Sequence, residues 1–287
     1  MEYTKLLNYT CWHCIFTQKI KTMLKNALIF SLIGFVLYAC ATVAVTGRSQ
    51  LSLVSNAEII PVANQQYKEV LKQGPISTNQ EQSALIKKVG LRIQKAVEQY
   101  MASKGASAEL NGFAWEFNLI DDPKTANAWC MPGGKVAFYT GILPICKDES
   151  GVAVVMGHEV AHAIANHGRE RMSSAMVANG LLGTLSAAMG ENPTLTQELL
   201  MQSLGIGANV GMLKFSRENE SEADHIGLIF MALAGYDPNE APKFWERMQS
   251  MSGGGAPPEW LSTHPSHDTR IRDLQGWIPE AEGYRKK

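Results

Sequence analysis

The sequence carries almost no net charge, and it lacks a run of basic residues interleaved with aromatics. Lys and Arg number 26 against 27 Asp and Glu, which gives a formal net charge of -1. Nucleic-acid grooves need a basic surface that faces the phosphates, so this composition argues against a nucleic-acid partner. With 45% apolar and 18% charged residues in 287 positions, the chain is typical of one globular domain with possible appendages.

Long apolar runs are scarce as well, and the clearest one covers residues 27–39 (ALIFSLIGFVLYA). Lysines precede this run, the last at Lys25, and Cys40 follows it directly. Residues 1–40 therefore resemble a bacterial lipoprotein signal whose cysteine becomes the lipidated N-terminus. Two alternatives stay open, an uncleaved membrane anchor extended through Val45 and a simple cleaved signal. Each of the three predicts export of the remaining chain.

Cysteine is scarce, with five in the whole chain. Cys11 and Cys14 lie within the predicted leader, for which Met23 is an alternative start, so we assign them no chemistry. Cys130 and Cys146 lie on either side of a predicted hairpin. An exported domain permits a disulfide between them, and two buried thiols are the alternative.

The periodicity of apolar residues predicts an α+β domain that is mainly helical. Helical spacing runs from Gln80 to about Met101, and strand formers then dominate up to Ile145. Pro132-Gly133-Gly134 predicts the turn of an antiparallel hairpin whose strands are residues 126–131 and 135–140. Asp148 is the predicted N-cap of the next helix, which we expect to continue past Gly168 toward residue 188.

An apolar stretch at residues 172–212 leaves three interpretations open, namely a lid, a membrane-facing element and an ordinary buried helix pair. Its Ala, Met, Leu and Gly composition favours the buried pair.

Residues 157–168 (GHEVAHAIANHG) contain the pattern H-E-x-x-H. On a helix, His158 and His162 lie one above the other while Glu159 lies on the adjoining face, so two imidazoles and a base meet at one metal ion. His167 would point roughly 140° away from His162 if the helix continued, which predicts a structural or supporting role.

A catalytic zinc normally has three protein ligands and an open position, so one ligand must come from elsewhere. Residues 215–224 (FSRENESEAD) offer it, because Glu220 and Asp224 are four apart and share a helix face. One of these carboxylates can bind the ion, and the other can accept the ring N–H of a metal-bound histidine. Glu222 points away from that face, and spacing alone does not exclude Glu218.

Together with GHEVAHAIANHG, three further motifs carry a family resemblance: NESEADHIG (219–227), STHP (262–265) and NAWCMPGGKVAFYTG (127–141). The ordered set resembles metallopeptidase family forty-eight, the gluzincins that include CAAX prenyl proteases, HtpX-type proteases and Oma-type proteases. The resemblance covers residues 46–278 and leaves 279–287 as a C-terminal tail. It implies a zincin-like fold with a small antiparallel sheet or hairpin beside the active-site helix.

The resemblance also implies a role for each matched residue. It makes His158, His162 and Glu220 the ligands of one zinc ion, Glu159 the general base and Asp224 a support for a ligand histidine. His264 would either stabilise the transition state or act as a reversible fourth ligand, and His267 is expected at the surface. The segment Asn127-Ala128-Trp129 resembles the family's edge strand, which aligns an extended peptide substrate.

The implied function is that of a zinc metalloendopeptidase that hydrolyses unfolded or damaged envelope proteins at a membrane, held there by an N-terminal lipid or anchor. Ala41 after Cys40, where an aspartate would retain a lipoprotein in the inner membrane, favours the outer membrane. The alternative is a mostly latent, chaperone-like assembly factor for outer-membrane proteins. A purely structural zinc site is disfavoured, because it needs no base such as Glu159.

Overall fold

The structure is a computed structural model that describes residues 23, 25, 40–178, 193–204, 215–251, 259–264 and 269–285. Most of the predicted leader, including Cys11 and Cys14, lies outside these residues. Among the described helices, none combines the length and the apolar character that crossing a bilayer requires.

Ten α-helices and five strands make up the described part of the chain. The helices are α1 (Asn56–Gln73), α2 (Gln80–Ser103), α3 (Leu143–Cys146), α4 (Glu149–Ile164), α5 (His167–Ala178), α6 (Pro193–Ser203), α7 (Arg217–Leu233), α8 (Glu240–Met251), α9 (Glu259–Thr263) and α10 (Arg270–Tyr284). The strands are β1 (Cys40–Thr42), β2 (Ser49–Leu51), β3 (Glu116–Ile120), β4 (Ala128–Met131) and β5 (Lys135–Tyr139). Short 3-10 helices cover Ser107–Leu110 and Thr140–Ile142. The predicted class, a mainly helical α+β domain, is confirmed.

Helix α4 forms the centre of the fold. The Asp148 side chain caps it by accepting a hydrogen bond of 3.0 Å from the backbone N–H of Gly151, as predicted. Residues 151–162 are buried on every face, because α2, α7, α8 and β4 surround the helix. The predicted helix from Gln80 corresponds to α2, whose apolar face, with Val89, Ile93 and Val97, packs in this core.

The backbones of α4 and α7 come close together at a pair of glycines. A Cβ atom on Gly157 would lie 2.8 Å from the carbonyl oxygen of Gly227, and one on Gly227 would lie 2.9 Å from the carbonyl carbon of Gly157. Glycine at both positions therefore lets α4, which contains the H-E-x-x-H pattern, and α7, which contains the E-x-x-x-D pattern, approach closely.

The sheet next to α4 has the order β3-β5-β4 and is mixed, whereas we expected an antiparallel one. The predicted hairpin is present, since β4 and β5 pair antiparallel around the turn at residues 132–134. Strand β3 pairs parallel to β5. The reason is that β5 lies between β3 and β4. Strand β4 runs opposite to β3, and β5, which turns back from β4, runs in the same direction as β3.

The helix that starts at Glu149 does not continue past Gly168, contrary to expectation. It ends at Ile164, Asn166 adopts a left-handed conformation with φ of 59°, and α5 starts anew at His167. Asparagine tolerates that conformation better than most residues, which permits a sharp change of direction.

The described part of the 172–212 stretch is a buried helix pair. Helix α5 packs on α6, and both contribute to one apolar cluster that includes Met172, Met176, Leu199 and Leu200. Residues 179–192 and 205–214 lie outside the described residues.

Cys130 and Cys146 are two buried free thiols, the second of the two alternatives. At the C-terminal end, α10 crosses the expected domain boundary at 278 and runs to Tyr284, with Ala281 fully buried.

Candidate metal centre

Three helical segments bring four side chains that could bind a metal ion to one buried point. Helix α4 supplies His158 and His162, one turn apart, and α7 supplies Glu220. His264 directly follows α9, and its backbone N–H donates to the carbonyl of Trp260 at 2.9 Å. All four side chains are buried, and their ligand atoms lie within 4.8 Å of one another.

Several of these atoms are spaced as the ligands of a tetrahedral zinc site are. His158 Nε2 lies 3.0 Å from His162 Nε2 and 3.2 Å from His264 Nδ1. Glu220 oxygens lie 3.5 Å from His158 Nε2, 3.4 Å from His162 Nε2 and 3.0 Å from His264 Nδ1. In a tetrahedral site with bonds of about 2.0–2.1 Å, neighbouring ligand atoms are about 3.3–3.4 Å apart. The donor set of three imidazoles and one carboxylate also suits zinc.

Asp224 contacts His158 at the ring nitrogen that faces away from the cluster. Its Oδ1 lies 3.0 Å from His158 Nδ1, on the opposite side of the ring from the cluster. Burial opposes protonation of His158, but the hydrogen bonds to Asp224 and Glu220 outweigh it and raise the pKa of His158 to about 9 in the metal-free protein.

Arg270, which the sequence patterns missed, pairs with two carboxylates of α7, those of Glu220 and Asp224. Its guanidinium lies 2.8 Å from Glu220 Oε2 and 2.6 Å from Asp224 Oδ2, and it stacks 3.4 Å above the ring of Trp245. Burial alone would raise the pKa of Glu220, but His264 and Arg270 outweigh it and hold that pKa well below its usual range. Glu220 is therefore ionised, as a metal ligand must be.

Glu159 lies beside the cluster rather than in it. Trp260 Nε1 donates a hydrogen bond of 2.6 Å to Glu159 Oε1, and His264 Nε2 lies 3.5 Å from the same oxygen. Burial raises the pKa of Glu159, while the nearby histidines and the Trp260 bond oppose that shift. A carboxylate with a raised pKa next to a metal site is suited to accept and return a proton.

His167 approaches His162, although the expected direction placed it on the far side of the helix. The break at residues 165–166 turns its ring back, so that His167 Nδ1 lies 2.8 Å from His162 Nδ1. The other ring nitrogen, Nε2, lies 2.9 Å from Glu222 Oε2. Glu222 does point away from the cluster, as expected, and it contacts His167.

The remaining predicted residues separate into those near the cleft and those away from it. Glu218 is exposed, which excludes it from the cluster. His267 lies outside the described residues. Ala128 and Trp129 are on β4, an edge strand of the sheet, and Asn127 directly precedes it. Trp129 lines the same cleft as Glu159 and His162.

Phe215 also contacts the metal-binding imidazoles, and no pattern in the sequence indicated it. Its ring lies 4.0 Å from the His162 ring and 5.1 Å from the His264 ring, centre to centre. With Trp260 against His264 at 4.9 Å, these aromatics form an apolar wall around the polar cluster. Such walls exclude water and restrict the imidazoles to one orientation.

Comparison with known proteins gives one family and a consistent set of relatives. Peptidase family M48 matches residues 88–278. The chain is 38% identical to mitochondrial metalloendopeptidase OMA1 of Schizosaccharomyces pombe over 68% of this chain and 55% of that protein. It is 35% identical to the Saccharomyces cerevisiae protein of the same name over 83% and 68%, and 32% identical to the beta-barrel assembly-enhancing protease of Escherichia coli over 56% and 34%. The chain thus spans about half the length of the fission-yeast relative.

Proposed function

The chain belongs to peptidase family M48, and from this premise we propose that it is a zinc-dependent metalloendopeptidase. The observation that carries the proposal is the cluster of His158, His162 and Glu220 with Glu159 beside it. We assign the first three as zinc ligands, Glu159 as the general base and Asp224 as the support of His158.

Zinc bound there would supply Lewis acidity, which acidifies water and polarises a carbonyl oxygen. Glu159 takes a proton from the attacking water and delivers it to the leaving amine nitrogen. Trp260 holds the Glu159 carboxylate in place through its 2.6 Å hydrogen bond, which limits the carboxylate to one rotamer. Phe215 and Trp260 keep bulk water away from the polar groups.

The cleft supports binding of an extended polypeptide along β4. This strand is at the edge of its sheet, and Trp129 and Cys130 line the cleft together with Glu159 and His162. Edge strands bind peptides through main-chain hydrogen bonds, which tolerate many side chains. This mode of binding suits unfolded or damaged proteins of the envelope as substrates, with Asn127, Ala128 and Trp129 as the aligning segment.

A second candidate function is a mostly latent protein that assists assembly of outer-membrane proteins. The position of His264 favours it, because His264 Nδ1 lies 3.2 Å from His158 Nε2 and 3.0 Å from Glu220 Oε1, where it could act as a fourth ligand. A fourth protein ligand leaves no open position at the ion, as in structural zinc sites. The name of the Escherichia coli relative refers to assembly of β-barrels.

For location, we propose export and attachment to the periplasmic face of a bacterial membrane, through a lipid on Cys40 or an N-terminal anchor. Strand β1 starts at Cys40, so the attachment would directly precede the folded part of the chain. The outer membrane is the preferred site.

The test is digestion of unfolded casein by the full chain loaded with zinc, compared with Glu159→Gln and His264→Ala. Loss of the general base should lower the rate by about 10²–10⁴-fold while one zinc per chain is retained. A chelator should abolish cleavage by the native protein, and His225→Ala, at an exposed pair with Glu280, should leave the rate unchanged.

The outcomes distinguish the two candidates. Cleavage by the native protein supports the peptidase. If only His264→Ala cleaves casein, His264 is an inhibitory ligand and the native protein is latent. If no form cleaves casein although zinc binds, the peptidase proposal is wrong and the assembly function takes its place.

A further inference from the structure

Each of the two histidines of H-E-x-x-H contacts the protein through the ring nitrogen that faces away from the cluster. For His158 that contact is the carboxylate of Asp224, at 3.0 Å. For His162 it is the ring of His167, at 2.8 Å, and the carboxylate of Glu222 lies behind that ring at 2.9 Å. His167 is fully buried and Glu222 is 8% exposed. The two supports therefore differ, one direct and one through a second imidazole.

Metal binding leaves one arrangement of protons in this chain of groups. A zinc ligand at His162 Nε2 must be a neutral imidazole, so its proton is on Nδ1. His162 Nδ1–H then donates to His167 Nδ1, which must be unprotonated and accept. The single proton of neutral His167 is consequently on Nε2, where it donates to Glu222 Oε2. Every polar atom along this path has a partner of the required kind.

Glu222 is itself held by the turn between β1 and β2. Arg48 Nε lies 2.6 Å from Glu222 Oε2, and the Thr46 hydroxyl donates to Glu222 Oε1. The Arg48 guanidinium also contacts Glu170 of α5 at 2.7 and 2.8 Å. Glu222 is thus paired with a fixed cation, and its Oε2 faces His167 Nε2 at 2.9 Å, where it can accept a hydrogen bond.

We propose that His167 and Glu222 are positioning residues that fix the Nδ1–H form and the ring orientation of His162, with Arg48 anchoring Glu222 from the N-terminal hairpin. This inference rests on the proposed zinc site. It adds to that site a second support, distinct from Asp224, and it couples the first two strands of the fold to zinc affinity. Partners of metal-bound histidines typically contribute a factor of about 10–100 to metal affinity.

The test is the zinc dissociation constant of the full chain, measured by competition with a chromophoric chelator for the native protein and five variants. His167→Ala should weaken zinc binding by about 10–100-fold. His167→Asn should recover most of that loss, because its amide oxygen takes the place of ring Nδ1 and still accepts from His162. Glu222→Gln and Arg48→Ala should weaken binding by smaller factors. His225→Asn, which removes a histidine–carboxylate pair on the outer face of the same helix α7, should have no effect.

Thermal unfolding of the metal-free variants distinguishes positioning from a general loss of stability. A merely structural His167 would lower the metal-free Tm in His167→Ala and His167→Asn alike, while the folded fraction bound zinc with native affinity. That result overturns the inference. If His167→Ala does not fold, the other two variants decide, and native zinc affinity in both Glu222→Gln and Arg48→Ala overturns the inference as well. Failure of the native protein to bind zinc would instead overturn the proposed function, and the inference with it.

Discussion

Arg270 determines how the two carboxylates of α7 face the metal centre. Its forked guanidinium binds Glu220 through Nη1 and Asp224 through Nε and Nη2, and it is 1% exposed. A guanidinium fixes planar carboxylates better than an ammonium group, because its N–H groups point in set directions. Glu220 is left with Oε1 directed at the imidazoles, and Asp224 with Oδ1 directed at His158.

Replacement of the ligand carboxylate tests this arrangement directly. Glu220→Gln keeps the shape of the side chain but removes the negative charge that pairs with Arg270 and that we propose as a zinc ligand. We expect zinc affinity to fall by more than the roughly 10–100-fold that follows loss of a ligand's partner. Equilibrium dialysis against buffered zinc measures the change.

Glu218→Gln is the matched control, since Glu218 lies two residues away on α7 and is exposed. It should bind zinc with native affinity. Equal loss in the two variants would show that charge at this end of the helix, rather than ligation by Glu220, attracts the metal.

At this scale the sequence indicated the residues that form the candidate site, together with Asp224, and missed their other partners. The i and i+4 spacing places His158 and His162 on one face of a helix, and Glu220 with Asp224 on another, whatever the tertiary structure. No such spacing indicates the roles of Arg270, Trp260 and Phe215, because their contacts depend on how distant segments of the chain pack. For His167 the expected direction was wrong because the helix breaks at Asn166.

At the scale of elements, the close approach of α4 and α7 is what brings Glu220 to the histidines. It depends on Gly157 and Gly227, where an added Cβ on either residue would overlap the backbone of the other helix. Backbone atoms cannot move aside as a flexible side chain does, so the helices themselves must separate.

Gly157→Ala should therefore destabilise the protein by about 1–3 kcal/mol, the usual cost of overpacking. Urea unfolding of the zinc-free protein measures it without interference from metal affinity. Gly276→Ala is the control, because Gly276 is in α10 and no atom lies within 4 Å of its added Cβ. That change should be neutral or stabilise by up to about 1 kcal/mol, as alanine is the better helix former. Equal effects would show that the crossing has room for a methyl group.

The start of α4 is held to α2 and the loop after α7 by Glu149, which gives a pH dependence. Lys88 lies 2.7 Å and Arg92 3.1 Å from its carboxylate, and Tyr236 donates to it at 2.9 Å. The bond from Lys88 is the main reason why the pKa of Glu149 is lowered. A lowered folded-state pKa means that the stabilisation is present above the unfolded value of about 4.3 and is lost as pH falls through the folded value.

Glu149→Gln should lower the free energy of unfolding by about 1 kcal/mol at pH 7, a figure that allows for the partial exposure of these side chains. The difference from the native protein should shrink as pH falls below about 4, where the native carboxyl is protonated too. Urea unfolding across that range measures it, with Glu98→Gln, at an exposed position of α2, as the control. A difference that stays constant down to pH 3 would assign the effect to packing instead of charge.

Most of the helices and strands were predictable from the sequence, but the way in which they pack and pair was only partly predictable. Helix α2, the hairpin of β4 and β5 and the cap at Asp148 follow from periodicity, turn residues and capping chemistry, all of which act locally. The parallel pairing of β3 with β5 depends on which edge the chain returns to, and no local pattern records that choice. Peptidase family M48 was likewise recognisable because its motifs are local and ordered.

At the scale of the molecule, the metal centre is a buried excess of negative charge. Glu159, Glu220 and Asp224 are three buried carboxylates, and Arg270 pairs with the last two of them. With the imidazoles neutral, as metal ligation requires, the formal excess of two negative charges equals the charge of one zinc ion. Burying unbalanced charge is costly, so the metal should stabilise the whole fold and not only the site.

Removal of zinc should therefore lower the Tm of the native protein. At a free zinc concentration of about 1,000 times its dissociation constant, binding contributes about 4 kcal/mol, which corresponds to roughly 10 °C for a domain of this size. Differential scanning calorimetry with zinc and with a chelator measures the shift. Glu220→Gln should show little difference between the two conditions, whereas an unchanged native Tm would mean that zinc does not bind the folded protein.

The contribution of the N-terminal residues of the described fold to the metal centre was not predictable from the sequence. Arg48 reaches Glu170 and Glu222, which are more than 120 positions away along the chain. Contacts of that separation depend on the finished fold, and a surface arginine is the usual interpretation of such a residue in sequence.

Trp260 gives the molecule an optical property that needs no label. Its indole donates to Glu159, and its ring lies 4.9 Å from that of His264 and 5.0 Å from that of Trp245. Indole emission responds to nearby carboxylates, imidazolium groups and changes of polarity. Zinc loading should change the emission of Trp260 and of its neighbour Trp245, so metal binding becomes visible in a stopped-flow fluorimeter on the native chain.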